Sequence, residues 1–442
     1  MNAIPETVTR PARTTRRRQS RKVALASLIG TTVEWYDFFL FGTAAALVFP
    51  ELFFSDLSPA SGLLASLASF GVGFVARPLG GAIVGHFGDR VGRKRMLVLT
   101  LLFMGGATVA MGLLPDFSAI GILAPILLVA LRFIQGLSVG GEWAGAALMA
   151  VEHAPQGRRG FFGSWPMVGT PAGLVLSTAA FAAVGLLPND AFLSWGWRLP
   201  FLLSAVLIVV GLVVRLRIIE SPVFAQVVDE GRTDRLPIKT VFVHHWRSVI
   251  GAAGLLLSIN TVFYLVTILS LSWATTELGV PRSTFLGAIL VAGVGMCFSV
   301  PLVGALSDKI GRRTTFGIGI GIVIVMAFPL FMMIQSGSVP LIYLGVFIMM
   351  ALAHCLMAGH IPALFSEMFP PAVRYTGASM GYQIGGMLGG LVPMLAASLL
   401  IAFDNAWWPL AALMAVIALV SLICLPLVKA RYRDEDVHTV QE

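Results

Sequence analysis

Charge is scarce in this chain: 12% of its residues are Asp, Glu, Lys or Arg, about half the share in a typical soluble domain. Hydrophobic residues make up 57%, more apolar surface than a soluble fold of 442 residues can hide. A soluble globular protein is therefore excluded. Cysteine is nearly absent, and Cys297, Cys355 and Cys424 all fall inside apolar runs. They read as small apolar residues, so neither a disulfide framework nor a metal site is expected. No G-x-x-x-x-G-K-[ST] stretch occurs and no segment is polar enough for a nucleotide domain, which disfavours ATP-driven transport. The net charge of +8 does not point to nucleic acid, because the positive residues sit in short loops and not on one basic face. A cleavable leader is also not expected. Residues 1–22 are basic, but the apolar run after them keeps two carboxylates and ends without a small-residue cleavage site, so it reads as a retained helix.

What the chain has instead is a succession of apolar runs, near 23–50, 60–86, 96–115, 118–150, 160–188, 197–216, 245–275, 283–306, 314–335, 339–367, 373–402 and 405–428. Each is long enough for a bilayer, and continuous runs of that length satisfy their backbone as helices. The expected class is an all-α integral membrane protein with twelve transmembrane helices. All of the 30 basic residues except Arg77, Arg132, Arg198 and Arg282 fall in the two tails or in loops after even-numbered runs. Glu51, Asp56, Asp116, Asp190, Glu277 and Asp404 occupy the opposite loops. The positive-inside rule then puts both termini in the cytoplasm of the cell membrane. One loop, "IIESPVFAQVVDEGRTDRLPIKT" (218–240), is longer and more polar than the others. The organisation read from this is a disordered tail over 1–22, bundles over 23–217 and 244–430, a linker over 218–243, and a tail over 431–442.

The two halves repeat. "GHFGDRVGRK" (85–94) aligns with "GALSDKIGRR" (304–313), and "VEHAPQGRRG" (151–160) aligns with "SEMFPPAVRY" (366–375) at nearly the same offset. Two ordered matches indicate a duplicated bundle. The loops of the form G-x-x-x-D-[RK]-x-G-R-[RK] resemble the hallmark motif of the major facilitator superfamily. "EWYDFFLFG", "ARPLGGAIVGHFGDRVGRKRML", "RFIQGLSVGGEW", "SWGWRLPFLLS" and "RYTGASMGYQIGG" further resemble its metabolite:proton symporters, which include shikimate, α-ketoglutarate, citrate and proline/betaine transporters. The shikimate type shows the nearest pattern. The resemblance implies two pseudo-symmetric six-helix bundles, proton-coupled import of a small organic acid by alternating access, an inner-membrane location, no cofactor and no obligate protein partner. It also implies that the loop aspartates act as gates. Asp89 would face the start of the eleventh helix near Arg374, and Asp308 the start of the fifth near Arg159, with Arg90, Arg93 and Arg312 around them. The second loop departs slightly, with Ser307 and Lys309 in place of Gly and Arg. The plain alternative is that these charges only anchor topology.

Five ionisable residues other than histidine lie deep in the runs: Glu34, Asp37, Arg77, Arg132 and Glu142. A charge at the bilayer centre costs at least ~2.5 kcal/mol, so each is expected to face the bundle interior and to have a partner. Three acids against two arginines leave one negative charge over. Glu34 and Asp37 share a helix face, and two neighbouring carboxylates in low dielectric do not both ionise easily. One of them, Asp37 first and Glu34 second, is expected to carry a proton, with Arg77 as partner and Glu142 in the same charge set; a static interhelical bond is the alternative. Arg132, with Gln135 on its face, would hold a substrate carboxylate or else pair with Glu142. Asn260, Tyr264 and Gln383 are the expected polar lining from the second half. His354 and His360 read as interhelical bonding residues. A uniporter, a proton antiporter or an exporter would fit the same architecture. An integral-membrane enzyme would need a nucleophile–base pair or metal cluster that these residues do not form.

Overall fold

A computed structural model describes residues 13–91, 93–140, 143–152, 154–155, 157–216, 237–370 and 373–429. Among them, nine helices are long and apolar enough to cross a bilayer. The first helix and two shorter apolar ones complete twelve. In chain order they are α1 (Arg13–Leu47), α2 (Pro59–Val91), α3 (Arg93–Leu113) and α4 (Leu123–Val139), which resumes over Trp143–Glu152. Then come α5 (Arg159–Val184), α6 (Asn189–Val213), α7 (Trp246–Thr276) and α8 (Arg282–Ile310). The last four are α9 (Arg312–Gln335), α10 (Val339–Met368), α11 (Thr376–Ala402) and α12 (Trp408–Leu427). In hydrocarbon each backbone N–H must bond within its own segment, which is why the runs are helical. Pro78, Pro166, Pro171, Pro301 and Pro329 sit inside helices, where packed neighbours re-satisfy the carbonyls they free.

Packing follows the duplication. α1 lies on α5 as α7 lies on α11, α3 on α6 as α9 on α12, and α2 on α4 as α8 on α10. Across the halves, α5 packs on α8 and α2 on α11, so the two bundles are related by a pseudo-twofold axis. α7 is 78% buried along its apolar window and α12 only 33%, which makes α7 central and α12 peripheral. Large apolar side chains such as Phe298, Leu302, Val325 and Ile423 are exposed on the outside. Exposed apolar surface on this scale suits lipid and would be a liability in water.

Three details differ from the sequence reading. α1 begins at Arg13, so the tail expected to be disordered over 1–22 is helical from that point; arginine and lysine are good helix formers and need no core to stay so. The end of the expected linker is also helical, over Pro237–His244. Finally, α7 and α10 contain π-helical turns, at Leu265–Leu269 and Ile348–His354, where one extra residue per turn re-aims the side chains beyond it. The turn between α8 and α9 is made at Gly311, whose φ of 91° is the left-handed conformation that glycine takes without strain.

Candidate functional site

At one end of the molecule the halves are tied together by the second loop motif. The first N–H groups of α5 have no side-chain cap from Arg158. They point instead at Asp308 of the other half: Gly160 N donates to Oδ1 at 2.8 Å and Phe161 N to Oδ2 at 3.0 Å. A carboxylate at a helix N-terminus is favoured by both hydrogen bonding and the helix dipole. Arg312 lies 2.8 Å from Asp308 and 3.3 Å from Glu367, and it donates to Ser307 Oγ at 2.6 Å. Arg312 and Glu367 are buried, so this network is shielded from solvent. Arg374 is buried and its Nε donates to Phe369 O at 3.3 Å, while Arg159 is half-buried. The side chains of Asp89, Arg90 and Arg93 lie outside the described residues. Glu367 is a member that sequence reasoning used only as an alignment marker; its match to Glu152 was the available signal.

A second polar cluster lies inside the first half. Asp37 on α1 is fully buried and turns toward α6 and α3. Ser204 Oγ donates to its Oδ1 at 2.5 Å; the Thr108 hydroxyl lies beside the same carboxyl and donates to Met104 O of its own helix at 3.0 Å. Thr108 accepts from Gln135 Nε2 at 2.8 Å, and Gln135 Oε1 accepts in turn from Arg132 Nη1. A polar chain thus runs Asp37–Thr108–Gln135–Arg132 across α1, α3 and α4. Arg77, expected as the partner of Asp37, is not among its described partners. Its guanidinium lies against aromatic rings, 4.7 Å from the centroids of both Phe38 and Phe74. Glu34, also buried, lies near enough to Tyr382 of α11, in the other half, to act on it electrostatically. Three residues along a helix leave a rotation of about 60°, enough to aim one carboxylate into its own bundle and the other at the interface. Glu142 lies outside the described residues.

Between the halves is a small cavity of about 30 Å³. α1 and α5 contribute Trp35, Phe39 and Thr170; α7, α10 and α11 contribute Asn260, Phe263, Tyr264, His354 and Tyr382. The π-helical turns of α7 and α10 adjoin it at Tyr264 and His354. Asn260 and Tyr264 therefore stand where expected. Arg132 and Gln135 do not reach this cavity. They pack with Phe38, Gly73 and Arg77 around a separate crevice too narrow for a water molecule. A cluster of Phe38, Phe70, Phe74 and Tyr264, with ring centroids 4.8–6.2 Å apart, packs between the two spaces. Gln383 bonds across the halves, its Nε2 donating to Gly140 O at 2.6 Å, and is not part of the cavity lining. Among the described residues no cluster of three His, Cys, Asp or Glu could hold a metal ion.

The family model described as Major Facilitator Superfamily matches residues 27–393 and 252–441. The Escherichia coli K12 inner membrane metabolite transport protein YhjE is 43% identical over 385 residues, 85% of this chain and 87% of that one. The shikimate transporter of the same organism is 42% identical over 419 residues, 94% and 96% of the two chains. Its proline/betaine transporter is 35% identical over 416 residues, 91% and 82%. Among solved structures, a D-xylose-proton symporter superposes with a TM-score of 0.69 at 21% identity, covering 93% of this chain and 99% of that one; that likeness is one of fold. These are transporters, not enzymes, and with twelve helices in two related bundles this chain belongs to the Major Facilitator Superfamily as a multi-pass membrane transporter.

Proposed function

We propose that this transporter imports a small organic acid together with a proton, by alternating access of its two bundles, with both termini in the cytoplasm. Asp37 is the proton carrier. The observation that carries this is its setting: a fully buried carboxyl whose described partners are the hydroxyls of Ser204 and Thr108, with Oδ2 left without a hydrogen-bond partner. An ionised carboxylate there bears a desolvation cost of several kcal/mol, and taking up a proton removes it. The Thr108–Gln135 link joins that site to Arg132, the cation that would meet the substrate carboxylate once the aromatic cluster between Arg132 and the cavity moves aside. The Asp308–α5 contact closes the cytoplasmic end, so loading occurs from the other side. Glu34 and Arg77 bias the interface electrostatically. The relatives that carry shikimate and proline or betaine support a small carboxylate as cargo.

The test uses purified protein in liposomes with an internal pH dye. Substrate added outside should acidify the lumen in wild type. Asp37→Asn should lose accumulation and acidification but keep exchange of labelled for unlabelled substrate. Uphill accumulation by Asp37→Asn at the wild-type rate would assign the proton to another group.

A further inference from the structure

We propose that Thr170 and His354 form a subsite that reads hydroxyl groups on the cargo. The inference rests on the reading of the chain as an importer of a small organic acid. Both side chains line the cavity between the halves. Both are more than nine-tenths buried, and Thr170 Oγ1 and His354 Nδ1 have no hydrogen-bond partner. Buried polar atoms are nearly always paired, and leaving one unmade costs the full desolvation of the group. Two such atoms facing one small, partly open cavity are positions a guest can satisfy as the bundles part. Thr170 Oγ1 can donate and accept, and His354 Nδ1 does one or the other according to its tautomer. A hydroxyl, able both to give and to take a hydrogen bond, suits either atom in either tautomer.

The rest of the lining is mixed: Trp35, Phe39, Phe263 and Ile361 are apolar or aromatic, while Asn260, Tyr264 and Tyr382 add polar groups. A hydroxylated ring would lay its C–H face on these rings and its hydroxyls on Thr170 and His354. A quaternary ammonium group has no hydrogen to donate and no lone pair, so it would leave both side chains unpaired. Sites built to bond a substrate hydroxyl reject analogues lacking it far more strongly than apolar pockets reject an extra methylene. Thr170 belongs to α5 and His354 to α10, so a bound hydroxyl pair would bridge the two bundles. The same contacts that select the cargo would then favour closure around it.

Binding to purified full-length protein, followed by intrinsic tryptophan fluorescence, tests this with three probes. They are shikimate, cyclohex-1-ene-1-carboxylate (the same ring and carboxylate without hydroxyls) and glycine betaine. Wild type should bind shikimate at least ~10-fold more tightly than the other two. Thr170→Val and His354→Phe should each lower that ratio about 3- to 10-fold, mainly by weakening shikimate, while Thr170→Ser should keep it. The proposal is overturned if wild type binds the deoxy acid or betaine as tightly as shikimate, if it binds none of the three, or if folded Thr170→Val and His354→Phe retain the wild-type ratio. Should the variants not fold, the wild-type ranking and Thr170→Ser decide. Loss of proton movement in liposomes with the ranking intact would refute symport and leave the subsite standing.

Discussion

Adding one methyl group at Gly160 should open the end of the molecule that Asp308 closes. A Cβ there would lie 2.4 Å from Gly304 O, 2.5 Å from Arg312 Nη1 and 2.6 Å from Ser307 Oγ. The reciprocal Cβ at Gly304 would lie 2.6 Å from Gly160 O and 2.8 Å from Ser164 Cβ. Carbon–oxygen contacts settle near ~3.3–3.6 Å, and a backbone oxygen cannot rotate away. α5 and α8 must therefore part by about 1 Å. That displacement carries the 2.8 Å and 3.0 Å bonds to Asp308 beyond about 3.5 Å, where a hydrogen bond is lost. Overpacking of this kind costs about 1–3 kcal/mol, which is a ~5- to 150-fold shift in a two-state equilibrium. Spin labels at the exposed positions Arg158 and Lys309, on opposite sides of the contact, would report it by pulsed dipolar spectroscopy after replacement of the native cysteines. Gly160→Ala and Gly304→Ala should move population to a longer distance. Gly321→Ala, with nothing within 4 Å of its added carbon, should not. An unchanged distance distribution in both of the first two variants would show that this contact does not hold the closed form.

Thr108→Val and Ser204→Ala should each remove a hydroxyl from Asp37. Hydrogen bonds to charged groups contribute about 1.5–3 kcal/mol, so pH-driven accumulation should fall roughly 10-fold or more while exchange at equal pH persists; equal losses in both assays would mean a folding defect instead. Sidedness is open to an impermeant maleimide on intact cells: Glu277→Cys should label and Lys309→Cys should label only after permeabilisation. Both positions are exposed, and the reverse pattern would invert the proposed topology.

The twelve runs and the duplicated loops were legible because length, apolarity and repetition do not depend on how helices rotate about their axes. Side-chain aim does depend on it, and there the sequence said less. Asp308 could be placed opposite the start of α5 because the motif fixes it at a helix end. Spacing alone put Glu34 and Asp37 on one face, and it could not name the partners each meets on neighbouring helices, such as Ser204 for Asp37. Thr108 and Ser204 were invisible as site residues, since a hydroxyl in an apolar helix usually bonds its own backbone, as Thr261 and Thr267 do here. Gln383 and His354 exchanged expectations: the glutamine is spent on Gly140, while the histidine beside a π-helical turn reaches the cavity. Periodicity at 3.6 residues cannot register the extra residue in such a turn.

Phe38 stands with its ring 4.7 Å from the Arg77 guanidinium and 4.5 Å from that of Arg132. Its ring face is shared by two cations, each held by a cation–π attraction that is stronger out of water. Moving the ring aside would give up both attractions at once, and a carboxylate arriving between the guanidiniums would replace them with charge pairing. On the proposed reading of Arg132, a visitor's sign would then count before any detail of its shape.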